Sequence, residues 1–114
     1  MEILDLGRAT DAYDTYVGML KIAGDAIKPH LEGKLPDADG EELLRLEAVL
    51  RKIFRESTTF SILLADELIE QVPLLAHYPA KNAELVKAKA RFSIAVKQTV
   101  DILSKVDAAK AKRS

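Results

Sequence analysis

The side chains able to carry chemistry are few, and their spacing suits it poorly. A di-metal carboxylate bundle needs Glu-x-x-His pairs projecting inward from two helices and further Glu residues from the others. The two histidines are His30, beside Pro29, and His77, in a loop-like stretch, and neither follows a Glu by three residues. Asp66, Glu67 and Glu70 form an acidic cluster. At helical spacing, however, Asp66 and Glu70 fall opposite Leu64 and Leu68, as a solvated face rather than a ligand set. Ser57, Thr58, Thr59 and Ser61 are grouped, but no base is placed beside them to make a nucleophile. They read as mid-helix hydroxyls bonding back to carbonyls, an arrangement that often bends a helix. Gly18 and Gly24 lie inside a helical stretch and Gly33 and Gly40 at its edges, so there is no Gly-rich phosphate loop. His30-Leu31-Glu32-Gly33-Lys34 also fails as a phosphorelay site, because such a histidine should be exposed mid-helix and this one follows a proline near a helix end. Cysteine is absent, which removes disulfides, thiolate catalysis and cysteine metal sites together. The sequence therefore predicts no catalytic residue, no cofactor, no metal and no small-molecule substrate. No family motif is carried by these residues.

The elements that would position any site are clearer. Three stretches, residues 2–32, 40–72 and 80–110, each carry an apolar stripe at helical spacing. In the first, Leu6, Ala9, Tyr13, Val17, Leu20, Ile27 and Leu31 line one side, with Tyr16 and Ala23 widening it, while Asp14, Lys21, Asp25, Lys28 and Glu32 fill the other. Thr10 is a possible N-cap, although matched helix lengths favour a start near Glu2. Pro29 lacks the N–H that would bond the Asp25 carbonyl, which predicts a kink or a frayed last turn, and Gly33 suits a left-handed stop. Asp39-Gly40-Glu41-Glu42 reads as a capping box. The second stripe runs through Leu43, Leu46, Val49, Leu50, Ile53, Phe54, Phe60, Leu64, Leu68 and Val72. Ser57-Thr58-Thr59 interrupts it with poor helix formers. The stripe keeps its phase across them, which favours one helix; a break there would give a four-helix bundle. Pro73 ends this helix. Leu85, Ala88, Phe92, Ala95, Val96, Thr99, Leu103 and Val106 face inward on the third. Both connections are short, so consecutive helices run antiparallel. The expected fold is all-α: a single bundle of three long antiparallel helices over residues 1–110, about 45 Å long at 1.5 Å rise per residue, with a frayed basic tail at 111–114.

Composition sets the outer limits. A chain of 114 residues, 48% apolar and 31% charged, has room for one core and is not of the disordered class. No apolar run approaches the about 20 residues that a membrane-spanning helix needs. The N-terminus has neither a basic region nor a continuous hydrophobic segment, so a cytoplasmic setting is expected. The net charge of −1 hides an asymmetry: eight acids and four bases in residues 1–39, seven and four in 40–79, three and nine in 80–114. Either the basic third helix pairs with two acidic ones along the seams, or it offers a basic face to an acidic partner.

What remains over is the functional signal. Ile22 falls on the far side of the first helix, Ile62 and Ile69 sit beside the second stripe, Leu63 lies well outside it, and Ile94 points away from the Phe92–Val96 seam. An apolar flank of this kind marks a second contact surface or a self-association face. A rotation of the second helix at Ser57–Thr59 would instead turn Ile62 and Ile69 inward. Lys87 and Arg91 flank Ile94, as charge rims an apolar centre in a protein interface. The expected function is thus a non-enzymatic helical interaction protein, an adaptor, inhibitor or small subunit, binding a protein partner or a second copy. Ile62, Leu63, Ile69, Lys87, Arg91 and Ile94 would form the contact. The alternative is a nucleic-acid-associated bundle that contacts phosphates through the basic third helix and tail.

Overall fold

A computed structural model describes residues 6–33, 40–70 and 76–113. Three helices account for nearly all of them: α1 Leu6–Leu31, α2 Glu41–Glu70 and α3 Pro79–Arg113. They build an elongated all-α bundle of 56 × 21 × 17 Å. The capping-box residue Asp39, the linker at 34–38, and Val72 and Pro73 lie outside the described residues.

Helix ends follow local chemistry with one departure. Thr10 is no N-cap: its hydroxyl donates to the Leu6 carbonyl at 2.9 Å, one turn inside a helix already under way at Leu6. α1 continues through Pro29 to Leu31, in keeping with a stripe that runs to Leu31 and a stop at Gly33. The Glu32 N–H bonds the Lys28 carbonyl at 3.0 Å, and the Gly33 N–H bonds His30 at 3.3 Å. Gly33 then turns the chain out of the helix at φ 70°, a conformation that costs other L-residues about 1–2 kcal/mol.

α2 is unbroken, so the four-helix alternative is not what forms. Ser57 and Thr58 both donate to the Phe54 carbonyl, at 3.0 and 2.9 Å. Their hydroxyls are thereby satisfied within the helix and have no need to open it. Ser57 itself is wholly buried. It stands seven residues from both Leu50 and Leu64, in phase with the stripe it was expected to interrupt.

Cross-helix pairs give the directions. Tyr13 meets Ser61 and His30 approaches Glu42, so α1 and α2 run antiparallel. Asp14 meets Arg91, and Gly24 lies against Ile102, so α1 and α3 run parallel. Glu47 meets Lys110 and Arg51 meets Asp107, so α2 and α3 run antiparallel. This is the up-down-up order that short connections impose.

The α1–α3 contact is the most extensive and the α2–α3 contact the least. Small buried residues explain the difference: Ala9, Ala23 and Gly24 on α1, Ala88 and Ala95 on α3. A Cβ at Gly24 would stand 2.9 Å from the Ile102 methyl, which shows how closely α3 approaches there. α2 brings bulkier groups, and among the described residues of its stripe only Leu43, Leu50 and Leu64 are buried. Val49, expected inward, is about half exposed, while Ile102, not assigned to the core from sequence, is sealed inside it.

Candidate functional surface

The centre of the bundle is aromatic and inert. Tyr13 is buried, its ring edge-on to Phe60 at 5.2 Å and tilted on Phe92 at 5.1 Å. Its hydroxyl shares a 2.9 Å hydrogen bond with Ser61 Oγ. That bond takes up Ser61, while Ser57 and Thr58 are spent on backbone carbonyls. His30 is enclosed at the opposite end of α1, its Nε2 3.8 Å from a Glu42 carboxylate oxygen. His77 is exposed ahead of α3. Neither histidine stands beside the hydroxyl cluster. Among the described residues, no group of three or more His, Asp or Glu is placed to hold a metal ion.

Charge is concentrated at a seam instead. Glu47 is buried on α2, accepting from Lys110 Nζ at 2.6 Å and from Arg51 Nε at 2.9 Å. Burial pushes its carboxyl pKa up, but hydrogen bonds and attraction from Lys110 and Arg51 prevail, and the net shift is downward. Arg51 is raised in turn by its bond to Glu47, and its Nη2 also donates to Asp107 at 3.0 Å. Sequence reasoning missed this cluster. Glu47 is in phase with the stripe and carries an i, i+4 arginine, yet nothing local reveals Lys110.

The residues expected to form the contact surface all lie on the outside. Ile62, Leu63, Ile69 and Ile94, together with Ile22, are 59–73% exposed. The rotation that would have hidden Ile62 and Ile69 does not occur. Ile62 and Ile69 share one outer face of the C-terminal half of α2, and Leu63 is exposed about a third of a turn away. Ile94 stands on α3 at the mouth of a shallow α1–α3 groove of about 130 Å³, floored by Leu20, Gly24 and Ile102. The structure adds Val86 and Val100 to the exposed aliphatics of α3.

The flanking bases are more engaged than the sequence suggested. Both Nε and Nη2 of Arg91 donate to Asp14 Oδ1, at 3.1 and 2.9 Å. Lys87 lies 3.7 Å from Glu84, and Lys105 lies 3.1 Å from Asp101. Arg91–Asp14 and Lys110–Glu47 join a base on α3 to acids on the other helices, the seam pairing that the charge asymmetry allows.

Fold and surface together define a small all-α three-helix bundle with bulky aliphatic side chains on its outer faces. No family model, no curated protein and no solved structure matches the chain.

Proposed function

We propose that the protein is a non-enzymatic interaction module that binds another protein chain through apolar strips on α2 and α3. The observation that carries this reading is the exposure of Ile62, Leu63, Ile69 and Ile94 on a bundle whose interior is already filled. Burying one such side chain fully is worth about 1.5–3 kcal/mol. Four or five of them therefore leave a large free energy available to a partner. Lys87 and Arg91 would rim the contact. No helix among the described residues is long and apolar enough to cross a membrane.

Sedimentation of the purified chain, alone and with candidate partners, tests the reading. Leu63→Glu and Ile94→Glu should abolish association while leaving the helical circular dichroism and the melting curve intact. Unfolding by both substitutions would make these residues structural and end the proposal.

The runner-up, contact with nucleic-acid phosphates through α3, draws on its nine-base segment at 80–114. Several of those bases already face carboxylates, so phosphates would compete with Asp14, Asp101 and Glu47. Retention on a polyanion column, lost in moderate salt and on Lys87 and Arg91 substitution, would favour it over the protein reading.

A further inference from the structure

α2 and α3 make the least extensive of the three helix contacts, and the outer edge of that seam changes character along the rod. At one end Arg51 and Asp107 bridge it with an ion pair. Ile69 lies five turns beyond Arg51 and so returns to the same angular position, and Ile62 falls about 20° from it. On α3, Val100 falls about 20° from Asp107, and Val86 about 60° to its outer side. The edge that carries charge at one end is therefore lined by exposed aliphatic side chains toward the other. Between these lips lie Phe54 and Val96, partly buried against the core.

The two lips stand at matching heights. Arg51–Asp107 sets one level, and Tyr13, which touches Phe60 and Phe92, sets another. Reckoned from both levels for antiparallel helices, Ile69 falls between Ala83 and Lys89, a span centred on Val86. Ile62 falls between Ala90 and Val96, and Val100 between Lys52 and Thr58. Ile62 and Ile69 are seven residues apart, and Val86 and Val100 fourteen. That is the repeat a partner helix meets when it winds along a seam. From Phe54 to Ile69 the furrow is about 22 Å long at 1.5 Å per residue, four turns of helix.

Its border is basic. Lys89 shares the angular position of Asp107, Lys97 stands about 80° outward from it, and Arg55 about 40° outward from Arg51. From 85 to 100 there is no Asp or Glu. Glu56 and Glu67 are turned about 140–160° from Arg51, to the other side of α2, and Asp66 stands about 60° outward. Lys89, Lys97 and Arg55 thus border the lips against Asp66, in a chain whose net charge is −1.

We infer that this furrow seats one amphipathic helix of another protein, about four turns long, with an aliphatic stripe at heptad spacing and acidic flanks. The inference rests on the reading that α2 and α3 bind protein, and gives the partner's chemistry and place. Apolar side chains enter between the lips, and flanking carboxylates meet Lys89, Lys97 and Arg55, since complementary potentials direct docking. A second copy docked seam to seam would instead oppose these cations to one another. Leu63, a third of a turn from Ile62, and Ile94, turned toward the α1–α3 groove, lie beyond this helix and would touch other parts of the partner.

Selection of displayed peptides on the full-length chain tests this. The library holds helices of about four turns, with leucine fixed at heptad positions a and d and the remaining positions varied. Enriched sequences should carry Asp and Glu at the flanking e and g positions, and a Lys-flanked counterpart should bind about tenfold more weakly. Ile62→Glu and Ile69→Glu should each raise the dissociation constant of an enriched peptide about tenfold or more, with the melting curve unchanged. Lys89→Glu combined with Lys97→Glu should turn the preference toward the Lys-flanked peptide. Leu63→Glu and Ile94→Glu should leave peptide binding as it is.

A library from which nothing is enriched, or peptides indifferent to Ile62→Glu and Ile69→Glu, would overturn the seam as the site. The wider reading would then still stand or fall by sedimentation with Leu63→Glu and Ile94→Glu. Enrichment of basic or uncharged flanks would overturn the acidic partner. A chain that dimerises and is returned to monomer by Ile62→Glu would put a second copy in the furrow and overturn the foreign helix.

Discussion

Tyr13 and Glu47 carry the specific chemistry of the interior. Tyr13 packs between Phe60 and Phe92, and its hydroxyl meets Ser61 across the α1–α2 seam. Tyr13→Phe removes only that bond and should cost about 0.5–1.5 kcal/mol. Tyr13→Ala also opens a cavity and should cost about 3–5 kcal/mol; urea unfolding distinguishes the two. Glu47 is held ionised by Lys110 and Arg51, so its folded-state pKa lies below its ordinary value of 4.5. A depressed carboxyl contributes stability that is present above its unfolded pKa and is lost as pH falls through the folded one. Glu47→Gln should therefore lower stability at neutral pH by about 1–2 kcal/mol, with both partners partly exposed. The difference from wild type should shrink below about pH 4, as melts over a pH series would show. Tyr13 was legible in sequence because it sits on a regular stripe. Glu47 was not, because what makes its burial tolerable is a lysine 63 residues away.

At the scale of the helix, glycines separate backbone demand from packing demand. Gly18 lies inside α1, and a Cβ there would meet nothing within 4 Å. Gly18→Ala should stabilise the fold by about 0.5–1 kcal/mol, as a higher melting temperature, because alanine has the better helix propensity. Gly33→Ala should destabilise it by about 1–2 kcal/mol, since the turn after α1 holds a positive φ. The helices themselves were readable from period and punctuation, and α2 held its phase through Ser57–Thr59 as the stripe implied. Ser57 was misread as an interruption because propensity scales see a poor helix former. They do not see that a small hydroxyl, bonded to Phe54, can occupy a buried position between Leu50 and Leu64. α3 is helical as far as Arg113, past the 110–111 boundary where fraying was expected, and Lys110 is anchored near its end by Glu47.

Across the whole molecule, the uneven charge of the three segments is only partly absorbed inside the bundle. Arg91–Asp14 and Arg51–Asp107 are pairs of half-exposed side chains, each worth about 0–1 kcal/mol. Raising salt to about 1 M, where the Debye length is about 3 Å, should change thermal stability little, as calorimetry over a salt series would show. Leu63→Glu and Ile94→Glu should alter unfolding free energy by no more than about 0.5 kcal/mol, in contrast to their effect on association.

The amino-acid sequence alone determined the class of fold, the number and antiparallel order of the helices, most of the core and the outward set Ile22, Ile62, Leu63, Ile69 and Ile94. All of these follow from a period that repeats within a few residues and needs no knowledge of distant neighbours. Only the tertiary structure decided that α3 lies closest to α1, that Glu47 is buried between Arg51 and Lys110, that Val49 is outside and Ile102 inside, and that Arg91 is engaged by Asp14. Those outcomes depend on which helix face meets which. That is set by the sizes of side chains such as Gly24 and Ala95 once three helices compete for one another's surfaces, a competition that no single stretch of chain records.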